Sequence, residues 1–401
     1  MVYDVAGVRG RYLSLGDGWT YLNAHQCPQI PERVSAAVSR SFRLAAAAAE
    51  MEAPSGSHSR AYAPGRLQGE SLVDDARLAV ADLCGVTPDR VILGPDLPVL
   101  YSRLARALRP LLRRNSSVVL SGLTDAQVHE PFTELAGEVR TAQPDLGTGA
   151  LPASQYRHLV DGSTRLVALS AAHPHLGTVA PVAEIIDHTR SRSRAWVLVD
   201  AAAYLPYRPF DVAEWDADIV AVDVAQLGGP QVAALVFRDT AMFRRIDPLP
   251  ETSVAPGLAG GVPALVDHLA DLGGEGGGTR RTRLHHSMEE LAEYLDGLTR
   301  DLVQLLGPLS SAHILGVSGE AGDGGRGERI PRLSFAVRGV PAATVHQRLL
   351  DNGLVTTILP DSPLATDMGV EEVGGAVTVS LSPFTTRHDL EHLTRVVASL
   401  A

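Results

Sequence analysis

Two closely spaced histidines are the first residues in this sequence with the chemistry of a site. His173 and His175 flank Pro174, and imidazole nitrogens combined with carboxylates suit zinc or another divalent metal. Alternate residues of a strand point to opposite faces, so both rings could share a site only if the chain turns at Pro174. We therefore predict no metal.

A second chemical candidate is Cys27, two residues after His25. A thiol beside an imidazole can act as a nucleophile once it loses its proton. The alternative is a small buried thiol that only packs, and we favour this interpretation.

The chain contains no lysine, and all 35 of its basic residues are arginine. Lysine is ordinarily a common residue. A GC-rich genome explains its depletion but not its complete absence. Because a Schiff base between enzyme and cofactor or substrate needs an amine side chain, no side chain here can form one.

Composition limits the range of functions. A length of 401 residues predicts two or three domains. The net charge of -11 argues against nucleic acid or an anionic membrane as a partner. Two cysteines, no apolar N-terminal segment of signal-peptide length and no run long enough to span a bilayer lead us to expect a cytoplasmic protein.

Short apolar runs alternate with helical patterns through the middle of the chain, which predicts an α/β fold with a mostly parallel sheet. The predicted strands are Ser117–Leu120, Arg165–Ala171, Trp196–Ala201, Asp218–Val224 and Val232–Phe237, and the predicted helices are Val73–Cys84 and Pro181–Arg190. We also expect a plain helix over the alanine-rich segment Leu44–Met51.

The C-terminal third predicts a small α+β domain. Its expected elements are a linker at Gly273–Gly278, a long helix at Arg281–Leu306, a loop at Gly319–Gly327, strands at Leu333–Val337, Val355–Leu359 and Ala376–Leu381, and helices at Ala342–Asn352 and Arg387–Leu400. We predict three units: an N-terminal segment (1–30) that packs on the small domain, a large domain (31–275) and the small domain (276–401).

Several motifs together resemble the class V aminotransferase and cysteine-desulfurase-like family, of pyridoxal-phosphate (PLP) fold type I. They are Tyr21-Leu22-Asn23, Gln29-Ile30-Pro31, Ser71–Leu83 followed by Val91-Ile92-Leu93-Gly94-Pro95, Leu176–Val182, Val197–Ala201 and Leu227–Pro230. The resemblance covers nearly the whole chain and implies the family's fold and its pairing as dimers.

The resemblance also implies which cofactor contacts are missing. Gln226 stands where the family has its Schiff-base lysine, and of the inner set only Asp200, the partner of the pyridine nitrogen, remains. The other cofactor and substrate contacts fall on Asp96 to Pro98 (phosphate loop), Thr124-Asp125 (ring stacking), Pro174 (ring hydroxyl), Ala203, Asp223 (phosphate serine) and Thr378 (carboxylate-binding arginine). Asp96 and Asp223 would repel a phosphate, so we predict that PLP is not bound.

The resemblance places many titratable and polar groups in the former cofactor cavity. Its expected lining is Asn23, His25, Gln26, Cys27, Asp96, Asp125, His173, His175, Asp200, Asp223 and Gln226. Such groups shift one another's pKa values and can act as acids and bases. We predict Asp200, His173, His175, Gln226 and Asp223 as catalytic residues, and Asn23, His25, Gln26, Cys27 and Thr378 as substrate-binding residues.

Three functions remain open from the sequence. The first is a cofactor-independent enzyme of bacterial specialised metabolism that acts on a small molecule by acid–base chemistry, as a homodimer. The second is a non-catalytic homologue, either a metabolite-binding protein or the silent subunit of a heterodimer with a lysine-containing homologue. The third is a transferase or lyase that binds PLP or pyridoxamine phosphate noncovalently. The polar replacements favour the first function, because such groups are costly in a closed pocket unless they are used.

Overall fold

The computed structural model describes residues 3–48, 67–124, 126–134, 137–249, 253–274, 277–316 and 328–400. The helices are α1 (Val5–Arg9), α2 (Glu32–Leu44), α3 (Gln68–Cys84), α4 (Leu97–Ala107), α5 (Ala126–Thr133), α6 (Tyr156–Leu159), α7 (Val182–Arg192), α8 (Val212–Trp215), α9 (Pro256–Ala259), α10 (Gly261–Ala270), α11 (Arg280–Leu306), α12 (Ala342–Asp351), α13 (Pro363–Asp367) and α14 (Arg387–Ala398). The strands are β1 (Thr20–Tyr21), β2 (Val91–Gly94), β3 (Ser117–Ser121), β4 (Glu138–Ala142), β5 (Thr164–Ser170), β6 (Trp196–Asp200), β7 (Ile219–Asp223), β8 (Ala233–Phe237), β9 (Ala312–Ile314), β10 (Arg332–Val337), β11 (Leu354–Val355), β12 (Thr357–Ile358) and β13 (Val377–Ser380).

A seven-stranded sheet forms the centre of the large domain, in the order β2-β8-β7-β6-β5-β3-β4. Strand β8 runs antiparallel to both of its neighbours, and the remaining pairings are parallel. The predicted mostly parallel sheet is therefore confirmed. The carboxyl ends of β2, β6 and β7 consequently meet at one edge of the sheet.

Both faces of this sheet are buried, which explains the apolar runs in the sequence. Alternate residues such as Val197 and Val199 of β6 pack into one core cluster, while Leu198 packs into the other, which also contains Leu100 and Tyr101 of α4. Helix α4 thus lies under the face opposite the larger core. Its N-terminus begins just after the carboxyl end of β2.

The C-terminal part contains a four-stranded antiparallel sheet in the order β12-β13-β10-β9. The N-terminal strand β1 pairs in parallel with β11, and Asn23 forms an isolated bridge with Ser380 at the end of β13. These pairings place the N-terminal segment against the C-terminal part of the chain. The exact boundaries of the three units remain a prediction.

Most predicted elements agree with the structure to within a few residues, and two predictions are wrong. The helix expected over Leu44–Met51 is absent at residues 45–48, because α2 ends at Leu44 and a turn follows. The strand expected over Val355–Leu359 is broken at Thr356 into β11 and β12, which join different sheets. Residues 49–51, the loop expected at Gly319–Gly327 and the middle of the Gly273–Gly278 linker lie outside the described residues.

None of the described helices combines the length and the apolar character that crossing a membrane requires.

Candidate functional site

Three aspartates stand at the carboxyl edge of the large sheet. Asp200 ends β6, Asp223 ends β7, and Asp96 follows β2. The pKa of Asp223 is raised partly by the charges of Asp200 and Asp96, so the three carboxyl groups act on one another electrostatically. This carboxylate cluster lies where parallel α/β sheets usually bind their ligands.

Asp200 is held by a buried tyrosine of α4. The Tyr101 hydroxyl donates a hydrogen bond of 2.8 Å to Asp200 Oδ2, and the Ala202 N–H donates one of 2.9 Å to Asp200 Oδ1. Tyr101 is only 1% exposed, and burial, followed by the charge of Asp200, raises its pKa well above the usual value. The tyrosine therefore stays protonated and donates its hydroxyl hydrogen to the Asp200 carboxyl group.

Asp223 is a carboxyl group whose pKa is raised toward neutral pH. Burial raises its pKa to about 6, and the charges of Asp200 and Asp96 act in the same direction. Backbone N–H groups of Ala225 and Gln226 bond to this carboxyl and oppose the shift. A carboxyl with this pKa can both release and accept a proton near neutrality.

Asp96 closes the N-terminus of α4. Its carboxylate accepts a hydrogen bond of 2.8 Å from the Val99 N–H, as a helix N-cap does. Pro98 in the first turn has no N–H to offer. The positive end of this helix, which could attract an external anion, therefore carries a carboxylate of its own chain.

The segment from His173 to Gly177 forms a tight turn. His173 Nδ1 accepts the N–H groups of His175 (3.2 Å) and Leu176 (3.0 Å), so this nitrogen carries no proton. Burial lowers the His173 pKa to about 3. Gly177 has a φ of +76°, and a Cβ there would lie 2.1 Å from the Arg332 carbonyl oxygen. The chain turns at Pro174, which was the condition for the two histidine rings to share a site, and the turn packs directly on β10.

The two histidine rings His25 and His175 pack edge to face with their centroids 5.3 Å apart. His25 Nδ1 and its backbone N–H both lie 2.9 Å from Ser380 Oγ. His25 Nε2 is buried and has no hydrogen-bond partner among the described residues, and neither has Asn23 Oδ1. Burial, together with the charge of Arg332, lowers the His25 pKa to about 3, so this imidazole is neutral.

Arg332, at the start of β10, is the cation of the site. It is 2% exposed, and its guanidinium donates to the Tyr207 hydroxyl (3.1 Å), to the Pro174 carbonyl (3.3 Å) and to Gln226 Oε1 (3.4 Å). It also stacks over the Tyr207 ring at 5.1 Å. Among the described residues, no carboxylate pairs with Arg332. Buried charges are usually paired, so Arg332 has the character of an anion-binding group.

The remaining predicted site residues differ in their accessibility. Gln26 is exposed, and its Oε1 accepts a hydrogen bond from Thr357. Cys27 is exposed, so our favoured interpretation of a buried thiol is wrong; the residue lies in the turn after Asn23 rather than in the core. Thr378 is fully buried, with its hydroxyl 2.8 Å from Ser334 Oγ. Ala203 is buried as well, and Asp125 lies outside the described residues.

The residues at this position do not fit PLP. Gln226 has a carboxamide where a Schiff base needs an amine, and its oxygen is directed to Arg332. The helix terminus that would receive a phosphate is capped by Asp96. Because Asp223 adds another negative group nearby, a phosphate at this place would meet carboxylates instead of donors.

Two groups of the site, Tyr101 and Arg332, were not identified from the sequence. Tyr101 belongs to the apolar pattern of α4 and gives no local signal of a polar role. Arg332 does give a local signal, because this arginine directly precedes the mainly apolar segment Leu333–Val337. A charged residue at the start of a strand buried along its whole length would have identified it as a candidate.

Comparisons with known proteins agree with the architecture. The family described as Aminotransferase class-V matches residues 29–250. An uncharacterised protein of Mycobacterium tuberculosis is 36% identical over 416 aligned residues, covering 100% of both chains. A probable cysteine desulfurase of Pseudomonas aeruginosa is 27% identical and covers 94% of this chain and 92% of its own. The apo structure of a cysteine desulfurase from Thermococcus onnurineus superposes with a TM-score of 0.81 at 18% identity, covering 100% and 98% of the two chains.

Proposed function

We propose that this chain, which belongs to the class-V aminotransferase family, works without PLP. We further propose that it acts on a small molecule by acid–base chemistry. The observation that carries this proposal is the carboxylate cluster beside Gln226. In this cluster Asp223 has a pKa of about 6. We assign the enzyme to bacterial specialised metabolism as the setting in which such a change of chemistry is expected.

The roles of the two inner aspartates follow from their surroundings. Asp200 receives hydrogen bonds from Tyr101 and from a backbone N–H, which favour its ionised form. Desolvation raises the pKa of Asp223, and the charges of its acidic neighbours act in the same direction. Two carboxyl groups whose environments differ in this way divide the work of acid and base. Asp223 then transfers the proton, and Asp200 supplies a fixed negative charge.

The opposite side of the site indicates what the ligand carries. Arg332 offers a buried positive charge, and His25 Nε2 and Asn23 Oδ1 are buried polar atoms to which the described residues offer no partner. These groups come from the N-terminal segment and the small sheet, while the carboxylates come from the large sheet. The ligand therefore has an anionic group directed at Arg332 and its reacting atoms directed at Asp223.

A titration with PLP followed by absorbance tests the cofactor part of the proposal. We expect no saturable binding to the natural protein. Gln226→Lys should restore neither binding nor the absorbance of a Schiff base, because Asp96 and Asp223 remain at the phosphate position. Tight, saturable binding to the natural protein would instead support a noncovalent PLP or pyridoxamine-phosphate enzyme.

Native mass spectrometry of the purified protein tests the remaining part. We expect a homodimer that retains a small acidic molecule. The variant Arg332→Gln should lose that molecule. The control Arg348→Gln, which changes an exposed arginine of α12, should retain it. Obligate association with a lysine-containing homologue would instead support a non-catalytic subunit. If the ligand is retained but Asp223→Asn leaves its turnover unchanged, the site binds a metabolite without catalysis.

A further inference from the structure

A groove with an unusual concentration of arginine lies at the edge of the large sheet opposite the carboxylate cluster. It has a volume of about 660 Å³, within the range of about 300–1,000 Å³ that small-molecule sites occupy. Six arginines line it: Arg113, Arg165, Arg190, Arg192, Arg194 and Arg245. They come from the segment before β3, the start of β5, the end of α7 with the segment before β6, and the turn after β8, which all meet at this edge.

The charge of the groove contrasts with that of the whole molecule. Its other lining residues are Pro110, Leu111, Gly162 and Ser193, so no carboxylate lines it. The whole chain has 35 arginines among 401 residues and a net charge of -11. Six arginines among ten lining residues are therefore far more than composition alone predicts. A concave surface lined by one sign of charge concentrates ligands of the opposite sign.

The six side chains divide into fixed and available groups. Arg190 is bound to the buried Asp218 at 2.7 Å, and Arg245 stacks over the Trp196 ring at 5.3 Å. Arg165 donates to the carbonyls of Gly162 and Thr164. These contacts hold the walls of the groove in place.

Arg113, Arg192 and Arg194 are exposed, and the described residues offer their guanidinium groups no ion pair. They are the groups left to contact a ligand.

Helix electrostatics explain only part of this concentration. The C-terminus of a helix favours positive side chains, which accounts for Arg190 and Arg192 in the last turn of α7. It does not account for Arg113, Arg165 or Arg245, which belong to other elements. Like charges brought together from separate elements repel one another unless an anion compensates them.

We propose that this arginine groove binds a small, multiply charged anion that carries phosphate groups. The planar guanidinium pairs with phosphate through two parallel hydrogen bonds, and a polyphosphate offers several such groups within the length of the groove. Pro110 and Leu111 add an apolar surface on which a base or sugar could rest. This site is separate from the carboxylate cluster and does not depend on the function proposed for it.

Isothermal titration calorimetry of the full-length protein with inorganic tripolyphosphate tests the proposal. We expect saturable binding that weakens with added salt. The double variant Arg192→Gln/Arg194→Gln should bind at least about tenfold more weakly, since two charge-assisted contacts are lost. The matched control, Arg348→Gln, should bind like the natural protein. Thermal unfolding of both variants should match that of the natural protein, because the substituted side chains are exposed.

Two further probes identify the source of the phosphate. Tighter binding of adenosine triphosphate than of tripolyphosphate supports a nucleotide ligand, and equal binding supports a free polyphosphate. The proposal is overturned if tripolyphosphate does not saturate, or if the double variant and the control bind alike. It is also overturned if a polyglutamate peptide binds more tightly than tripolyphosphate, because the groove would then be a docking surface for acidic protein segments.

Discussion

At the scale of single residues, Asp200 and Asp223 show how similar side chains acquire different chemistry. Both end neighbouring strands of one sheet. Asp200 bonds to a tyrosine hydroxyl that cannot ionise at neutral pH, whereas desolvation and the charges of two other carboxyl groups raise the pKa of Asp223. Position in the sequence alone does not distinguish them, because the difference comes from Tyr101 and from the other groups that surround each carboxyl.

The raised pKa of Asp223 predicts a pH-dependent cost to stability. The folded protein holds this proton up to a pH of about 6, whereas the unfolded chain releases it near the usual carboxyl pKa of 3.8. The free energy of unfolding therefore falls as pH rises through this window, by about 3 kcal/mol at most. We expect Asp223→Asn to be more stable than the natural protein at pH 7, as measured by urea denaturation.

The comparison has an internal control at low pH. At pH 4 the carboxyl is protonated in the folded state and about half protonated in the unfolded state. Most of the advantage of Asp223→Asn should therefore disappear at this pH. Asp187→Asn, at an exposed position of α7, should show no such trend. An equal difference between Asp223→Asn and the natural protein at pH 4 and pH 7 would contradict the raised pKa.

The hydrogen bond from Tyr101 to Asp200 gives a second prediction at this scale. Tyr101→Phe removes a buried hydrogen-bond donor to the Asp200 carboxyl group, and we expect a loss of about 2 kcal/mol in the free energy of unfolding at pH 7. Tyr21→Phe serves as the control, because Tyr21 is half-buried and no side-chain hydrogen bond is seen for it within the described structure. If both variants unfold at the same urea concentration, Tyr101 does not hold Asp200.

At the scale of elements, helix α4 shows how the chain uses the N-terminus of a helix for its own stability. The helix starts where parallel α/β proteins commonly bind anions. Asp96 satisfies the Val99 N–H there, and Pro98 removes another donor while fitting the first turn. The sequence alone indicated repulsion of phosphate at Asp96. The structure adds that the same carboxylate is a helix cap.

The capping role predicts different results for two substitutions at position 96. Asp96→Ala should lower the free energy of unfolding by about 1 kcal/mol, because the Val99 N–H loses its partner. Asp96→Ser should retain most of the stability, since a serine hydroxyl can also cap a helix. Urea denaturation at pH 7 measures both. Equal destabilisation by alanine and serine would show that Asp96 acts through its charge and not as a cap.

At the scale of the whole molecule, the two edges of the large sheet differ in charge. The carboxyl edge holds three aspartates, and the other edge holds the arginine groove. The buried His25 and His268 and the half-buried His173 add a response of stability to acid. Burial lowers the pKa values of His25 and His173 to about 3 and that of His268 to about 4.

These histidines predict that acid destabilises the fold. In the unfolded chain they take up protons near pH 6.5, whereas in the folded protein they do so only near pH 3 to 4. The unfolded state therefore binds more protons in between, and stability is lost as pH falls from 6.5 toward 4. This trend opposes the contribution of Asp223, and three groups outweigh one. The midpoint of urea denaturation should accordingly be lower at pH 4.5 than at pH 7.

His268 offers the clearest test of this trend, because its ring nitrogen lies 3.0 Å from the Tyr12 hydroxyl, away from the site. His268→Gln should remove up to about 3 kcal/mol of the loss between pH 6.5 and pH 4. His388→Gln, at an exposed position of α14, should remove none. A pH trend unchanged by His268→Gln would mean that other groups cause the acid sensitivity.

The sequence by itself determined the fold of this protein and the absence of any lysine side chain. Apolar runs, glycine turns and the motif at Gln226 are local signals, because strand burial and turn geometry act on neighbouring residues. The tertiary structure decided which groups meet at the site. Tyr101 reaches Asp200 across 99 positions, and Arg332 reaches Gln226 across 106. Neither contact has a local pattern, since only the packing of distant elements creates it, and the same packing sets the proton affinity of Asp223.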